Sequence, residues 1–301
     1  MIRVFLLLIV CVSMTACSFD GMFLHPNKIP ANVERVNLLH HQTGENIIAE
    51  IGDQFQPNFV TEEGQSVAMG FQIESVLFDN EAGNTLNGWI MDPDSEYNGT
   101  TILFFHGNAG NLFVQYPQVV PLLDHGFRVF LIDYSGFGFS EGVASRDNVL
   151  KDGTASLVYI KDRIDMESEA LVVYGQSLGG HLAATVGGQN PEKIDALIIE
   201  GAFSSHKDVA GAVGGFLGRW LVAEKYSGAE AIQEYRNPVL VIHSKEDETV
   251  PFLLGEKLFS KANEPKTFLE TTGCHMCGLR NYTSTIVDHI LLKAESGDKI
   301  F

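Results

Sequence analysis

Three side chains, far apart in the sequence, have the types needed to break an acyl bond. Ser177 lies in Gly175-Gln-Ser177-Leu-Gly179-Gly180. Glycines on either side let the backbone turn sharply without Cβ clashes, which pushes the hydroxyl out of the turn. A serine hydroxyl is a weak nucleophile until a base takes its proton, and that base needs an acid to orient it. His275, in Gly273-Cys274-His275, is the candidate base. Asp247, in His243-Ser-Lys-Glu-Asp247-Glu-Thr-Val-Pro251, is the candidate acid, with Glu246 and Glu248 as rivals. Attack on a carbonyl also needs N–H donors for the developing oxyanion. The glycine-rich His106-Gly-Asn-Ala-Gly-Asn111 can aim the backbone amide of Asn108 into a site, and the amide of Leu178 would be the second donor. His106 itself is read as bracing that turn.

These residues must be brought together by strands. Phe71 to Phe78 and Thr85 to Met91 read as two strands joined by the turn-prone Asn80-Glu-Ala-Gly-Asn84. Short apolar runs follow at Thr101–Phe105, Arg128–Ile132, Leu171–Tyr174, Ala196–Ile199, Val239–Ile242 and Thr267–Leu269. They lack alternation of period two, as expected for strands buried on both faces of a parallel sheet. Candidate helices lie near 145–164, 178–188, 251–262 and 282–295. An antiparallel start followed by strand–helix alternation predicts a mostly parallel, doubly wound α/β sheet with flanking helices. Ser177, Asp247, His275 and the 106–111 loop then fall at carboxyl ends of strands, where ligands bind in such sheets.

The chain has 301 residues, 45% hydrophobic and 19% charged, which excludes a mostly disordered protein. Its formal charge is −18. With no Lys/Arg run longer than two, nucleic acid is excluded as a partner. Four cysteines are too few for a disulfide scaffold. At the start, Arg3 precedes the apolar run Val4 to Val12, which is too short to span a bilayer and fits a secretory signal. Small residues then lead into Cys17, a pattern similar to the lipobox of bacterial lipoproteins. That resemblance implies cleavage after residue 16, a lipid-acylated Cys17, and an outer-membrane address facing the periplasm. An ordinary signal peptide cut after Ala16 is the alternative. The expected organisation is residues 1–16 as signal, 17–70 as an N-terminal extension, and 71–301 as the main domain.

Taken together, the motifs from residue 71 onward resemble the α/β-hydrolase superfamily, in its serine aminopeptidase-like or abhydrolase-domain subgroup. The His106-Gly-Asn-Ala-Gly-Asn111 loop and Asp133-Tyr-Ser-Gly-Phe-Gly-Phe-Ser-Glu-Gly142 carry the resemblance to that subgroup, with Ser, Asp and His in the order the superfamily uses. It implies a Ser177–His275–Asp247 triad working through an acyl-enzyme, and favours Asp247 over its neighbours for its place before Val250-Pro251. It also implies a cap between the sixth and seventh strands of the fold, at about 206–237. Val213, Phe216, Leu217, Trp220, Leu221 and Val222 form an apolar stripe there. They could cover an acyl pocket, with Tyr134, Phe216 and Trp220 as lining residues, or simply pack on the core.

The expected activity is cleavage of carboxylic esters or thioesters of modest size. A peptidase or amidase, or a non-catalytic envelope lipoprotein, is the alternative. No cofactor is required for the triad chemistry, and no metal site is read. Cys274 and Cys277 bracket His275, and are read as small packing residues or as a disulfide that would stiffen or displace the base.

Overall fold

The structure, a computed structural model, describes residues 19–295 except Glu167. The expected signal sequence and Cys17 lie outside those residues. In chain order, helix α1 (Asp20–Phe23) and strand β1 (His25–Pro26) precede β2 (Arg35–Leu39), β3 (Asn46–Ile51) and β4 (Pro57–Val60). The hairpin β5 (Phe71–Asp79) and β6 (Thr85–Pro93) comes next, then β7 (Thr100–Phe105) and the short β8 (Ala109–Gly110). Helix α2 (Leu112–Leu123), β9 (Arg128–Ile132), α3 (Arg146–Lys161), β10 (Ala170–Gln176) and α4 (Leu178–Gln189) follow. The remainder is β11 (Ala196–Glu200), α5 (His206–Leu221), α6 (Gly228–Ala231), β12 (Val239–Ser244), α7 (Phe252–Lys261), β13 (Lys266–Thr271), α8 (Gly278–Asn281) and α9 (Thr283–Glu295).

Eight strands form one sheet in the order β13-β12-β11-β10-β7-β9-β6-β5. The hairpin pairs antiparallel, and β6 pairs antiparallel with β9, while every later pairing is parallel. Alternate residues of the parallel strands enter two cores. Leu103 and Phe105 pack with Val149 and Leu157 of α3 and Leu182 of α4. Ile102 and Phe104 pack with Leu112 and Tyr116 of α2 and Ile286 of α9. Burial on both faces is why these strands read as continuous apolar runs. From β7 the chain passes to β9 on one side and then to β10 on the other. The carboxyl ends of β7 and β10 therefore flank a switch point, where a crevice opens.

Two elements depart from the sequence reading. Helix α2 is not among the expected helices because Pro117 and Pro121 lie inside it. It forms because Leu112, Phe113, Tyr116, Val119, Val120 and Leu123 are all buried, so tertiary packing outweighs the lost backbone bonds. Residues 35–60 form a three-stranded antiparallel sheet, β2-β3-β4, where few periodic elements are expected from the sequence. Its inward side chains Ile47, Ala49 and Phe59 share a core with Trp89 and Tyr116.

Candidate active site

Ser177 occupies the turn between β10 and α4 with φ 56° and ψ −115°, a conformation rare for a residue bearing a Cβ. Two glycines make the turn possible. A Cβ on Gly175 would collide with the carbonyl of Gly179, and one on Gly179 with the carbonyl of Phe105. The turn is fixed by the amide of Ser177 donating to the carbonyl of Glu200 at 2.8 Å.

The structure brings Ser177, His275 and Asp247 together. Nε2 of His275 lies 2.9 Å from Oγ of Ser177, and its Nδ1 lies 2.6 Å from Oδ2 of Asp247. The Asp247 carboxylate is almost wholly buried, its side chain only 1% exposed. Its Oδ1 accepts from the amides of Thr249 and Val250, both at 2.8 Å. Burial alone would raise its pKa. Hydrogen bonds from His243, His275 and Val250 outweigh that effect and hold the carboxyl well below the usual range. Asp247 is thus an ionised acceptor that fixes the proton of His275 on Nδ1, leaving Nε2 as an acceptor facing the Ser177 hydroxyl. Of its rivals, Glu246 accepts from the amide of Gly273 at 2.8 Å, and Glu248 is exposed.

Asn108 and Leu178 border the same cavity as Ser177 and His275. Leu178 is the first residue of α4, so its amide has no acceptor within the helix and stands at the positive end of the helix dipole. The Asn108 loop is fixed from outside the main sheet. Its carbonyl accepts from the amide of His25, and β1 pairs in parallel with β8. From below, Nδ1 of the buried His106 donates to the carbonyl of Gly107 at 2.7 Å, and burial pushes the His106 pKa down to about 4.

The cavity holds about 250 Å³. Its apolar walls include Met22 and Phe23 of α1, Phe203, and Val209, Ala210 and Val213 of α5. The three expected pocket residues lie elsewhere. Tyr134 is fully buried beneath the loop, where its hydroxyl donates to the carbonyl of His106 at 2.9 Å. Phe216 and Trp220 are 80% and 71% exposed. Gly215, at φ 60°, breaks α5, and the Phe216 and Trp220 side chains beyond the break stand in solvent rather than in the cavity.

Four contributors escape the sequence reading. Met22 and Phe23 form a wall from a segment with no visible pattern. Phe23 packs under the Arg146 guanidinium, which bonds Asp20 at 2.7 Å. Glu200 is buried at the end of β11 and accepts from Tyr174, Gln176 and the amide of Gly278, joining the nucleophile strand to the His275 loop. A charged residue ending the apolar run Ala196–Ile199 was its only signal. His243 contacts Asp247 from behind. Cys274 and Cys277 form a disulfide, Cα atoms 5.4 Å apart, so the packing reading gives way to the bonded one.

Among the described residues His181, His206 and Glu224 have the donor types of a metal site. Hydrogen bonds within the protein engage one ring nitrogen of each histidine: His206 Nδ1 lies 2.9 Å from Glu224, and His181 Nε2 lies 3.2 Å from the Tyr226 carbonyl.

Residues 100–221 match a family described by the α/β-hydrolase fold. An uncharacterized protein of Escherichia coli O157:H7, YfhR, is 36% identical over 201 residues, 65% of this chain and 70% of that one. The α/β-hydrolase domain-containing protein WAV2 of Arabidopsis thaliana is 34% identical over 223 residues, covering 67% and 72%. Among solved structures, the esterase Pf2001 of Pyrococcus furiosus superposes with a TM-score of 0.59 at 18% identity, covering 73% of this chain and 90% of that one. An acetyl xylan esterase from Paenibacillus sp. R4 gives 0.61 at 17%, covering 74% and 84%. At such identities these two likenesses speak for the fold. With its sheet order and its two sequence relatives, the chain belongs to the α/β-hydrolase family.

Proposed function

We propose that the protein is a serine hydrolase of carboxylic esters or thioesters, held at the cell envelope by an acylated Cys17. One observation carries the chemical part: His275 is hydrogen-bonded to both Ser177 and Asp247 at the rim of an apolar cavity. Ser177 Oγ attacks the carbonyl carbon while its proton passes to Nε2 of His275. The carbonyl oxygen, now negative, is met by the amides of Asn108 and Leu178. As the intermediate collapses, the same proton goes to the departing alcohol or thiol, and the acyl group stays on Ser177. Water then repeats the sequence, with His275 as base, and the carboxylic acid leaves. Apolar walls favour an acyl chain over a charged peptide side chain.

The test is a fluorophosphonate probe on the full chain in detergent, beside Ser177→Ala. Labelling of the wild type that is absent from the variant supports the reading. A folded wild type that takes no label sinks it. The anchor is tested separately in cells, by incorporation of labelled palmitate that Cys17→Ser abolishes. Fractionation then reads the proposed outer-membrane address.

A further inference from the structure

The surface around the cavity mouth is itself apolar. Met22 and Val213 line the cavity, yet they are 56% and 77% exposed. Next to Val213, Phe216, Leu217 and Trp220 are 80%, 64% and 71% exposed. The backbone explains why. After the break at Gly215, α5 folds back until Gly218 sits against the carbonyl of Ala210, where a Cβ would collide. Arg219 then pairs with Asp208, closing the base of the turn. The tip projects with its apolar side chains outward, and an exposed apolar patch of this kind marks an interaction site.

We propose that this rim is a membrane-docking face, seated on the surface of a zwitterionic lipid leaflet. The path of the chain argues for that occupant. The described chain begins at Phe19, three residues before Met22. Cys17, the proposed acylation site, is five residues from Met22, and five residues span at most about 17 Å. A leaflet holding that acyl group therefore lies within about 17 Å of the cavity mouth. Tryptophan and phenylalanine beside an arginine also suit the boundary between headgroups and acyl chains. The formal charge of −18 opposes an anionic surface, which leaves a zwitterionic one. No helix among the described residues is long and apolar enough to cross a membrane. One consequence rests on the hydrolase reading above: an acyl chain passing between Met22 and Val213 comes directly from the leaflet, which makes membrane acyl esters the substrate class.

The chain has two tryptophans, and Trp89 is fully buried, so a change in emission reports Trp220. The experiment adds phosphatidylcholine vesicles with brominated acyl chains to the full chain and follows quenching. Expected is a blue shift with quenching, and a partition coefficient about tenfold weaker in Phe216→Ser/Leu217→Ser. Both of those side chains are exposed, and thermal melting checks the fold of the variant. Absence of quenching overturns the proposal. So does quenching that survives in the double variant, since the anchor alone then brings Trp220 close. A shift already present without vesicles overturns it too: one that reverses on dilution assigns the face to a second copy, and one that does not assigns it to residues 1–18. The readout needs no turnover, so docking and hydrolysis fail separately.

Discussion

His243 and Asp247 face each other, with Nε2 of His243 3.4 Å from the same Oδ2 that receives the Nδ1–H of His275. Nε2 is also 3.0 Å from the carbonyl of Val250, so it carries a proton shared between two acceptors. Nδ1 lacks a partner among the described residues, and a Cβ on Gly255 would collide with it. The ring is therefore wedged in one position behind the acid. In the proposed mechanism His243 is a positioning residue, acting on the reaction only through Asp247.

Replacing that ring tests the role. His243→Phe keeps the bulk and removes the donor. A hydrogen bond to a charged group contributes about 1.5–3 kcal/mol, so kcat is expected to fall about 10- to 100-fold with KM little changed. Loss of that bond raises the pKa of the Asp247 carboxyl, which the bonds from His275 and Val250 still lower. His243→Gln, which restores a donor, recovers part of the loss. Full activity in a folded His243→Phe would leave the task to the amides of Thr249 and Val250.

Asp247→Asn offers His275 an amide N–H in place of a carboxylate oxygen, favouring the wrong tautomer. The expected loss in kcat is about 10⁴-fold, as in other triads. Glu248→Gln, at an exposed position, should stay within about threefold of wild type, the range of surface substitutions. If the two variants lost activity equally, the assignment of the acid would be wrong.

The Cys274–Cys277 disulfide encloses His275 and Met276, which has φ 57°. In the bonded state His275 reaches Ser177. Reduction is therefore expected to loosen the base and lower kcat several-fold. Because the loop is so short, the loss of global stability should be about 2 kcal/mol or less. Activity with and without dithiothreitol, beside thiol counting by alkylation and mass spectrometry, checks this. Two free thiols in untreated, fully active protein would exclude it.

What the sequence made legible is what its local chemistry dictates. Gly175, Ser177 and Gly179 announce a sharp turn because only glycine tolerates the backbone contacts found there. Asp247 and His275 stand out because each follows an apolar strand. Met22 and Phe23 could not be read this way. They reach the cavity through the Asp20–Arg146 bond and the β1–β8 pairing, both contacts between distant parts of the chain. Phe216 and Trp220 misled for the opposite reason. Apolar spacing in α5 suggested a covered face, and the break at Gly215, a backbone property, turned that face outward.

His106 gives a stability prediction with a definite sign. Its pKa falls from 6.5 to about 4 on folding, because burial disfavours the imidazolium. Between those values the unfolded chain binds the proton more readily, so stability drops as the pH falls through about 6.5 toward 4. The shift corresponds to about 3 kcal/mol. Burial pushes Asp152 the other way, up to about 6, but that contribution is common to wild type and variant. Urea midpoints at pH 7 and pH 4.5 should therefore separate more in wild type than in His106→Gln. Equal separations would mean that His106 is not buried as the free base.

The cavity wall sets the last expectation. Each methylene buried contributes about 0.8 kcal/mol, close to fourfold in kcat/KM, until the space is full. With p-nitrophenyl esters, activity should climb from acetate to a medium-chain optimum and then fall. Ala210 is buried against the cavity, so Ala210→Phe fills the space an acyl chain would take. The optimum should shorten by several carbons, with acetate the least affected of the series. A loss shared equally by every chain length would point to damage at Ser177 rather than to a filled pocket. An unchanged optimum would mean that the acyl chain leaves the serine by a path that does not pass α5.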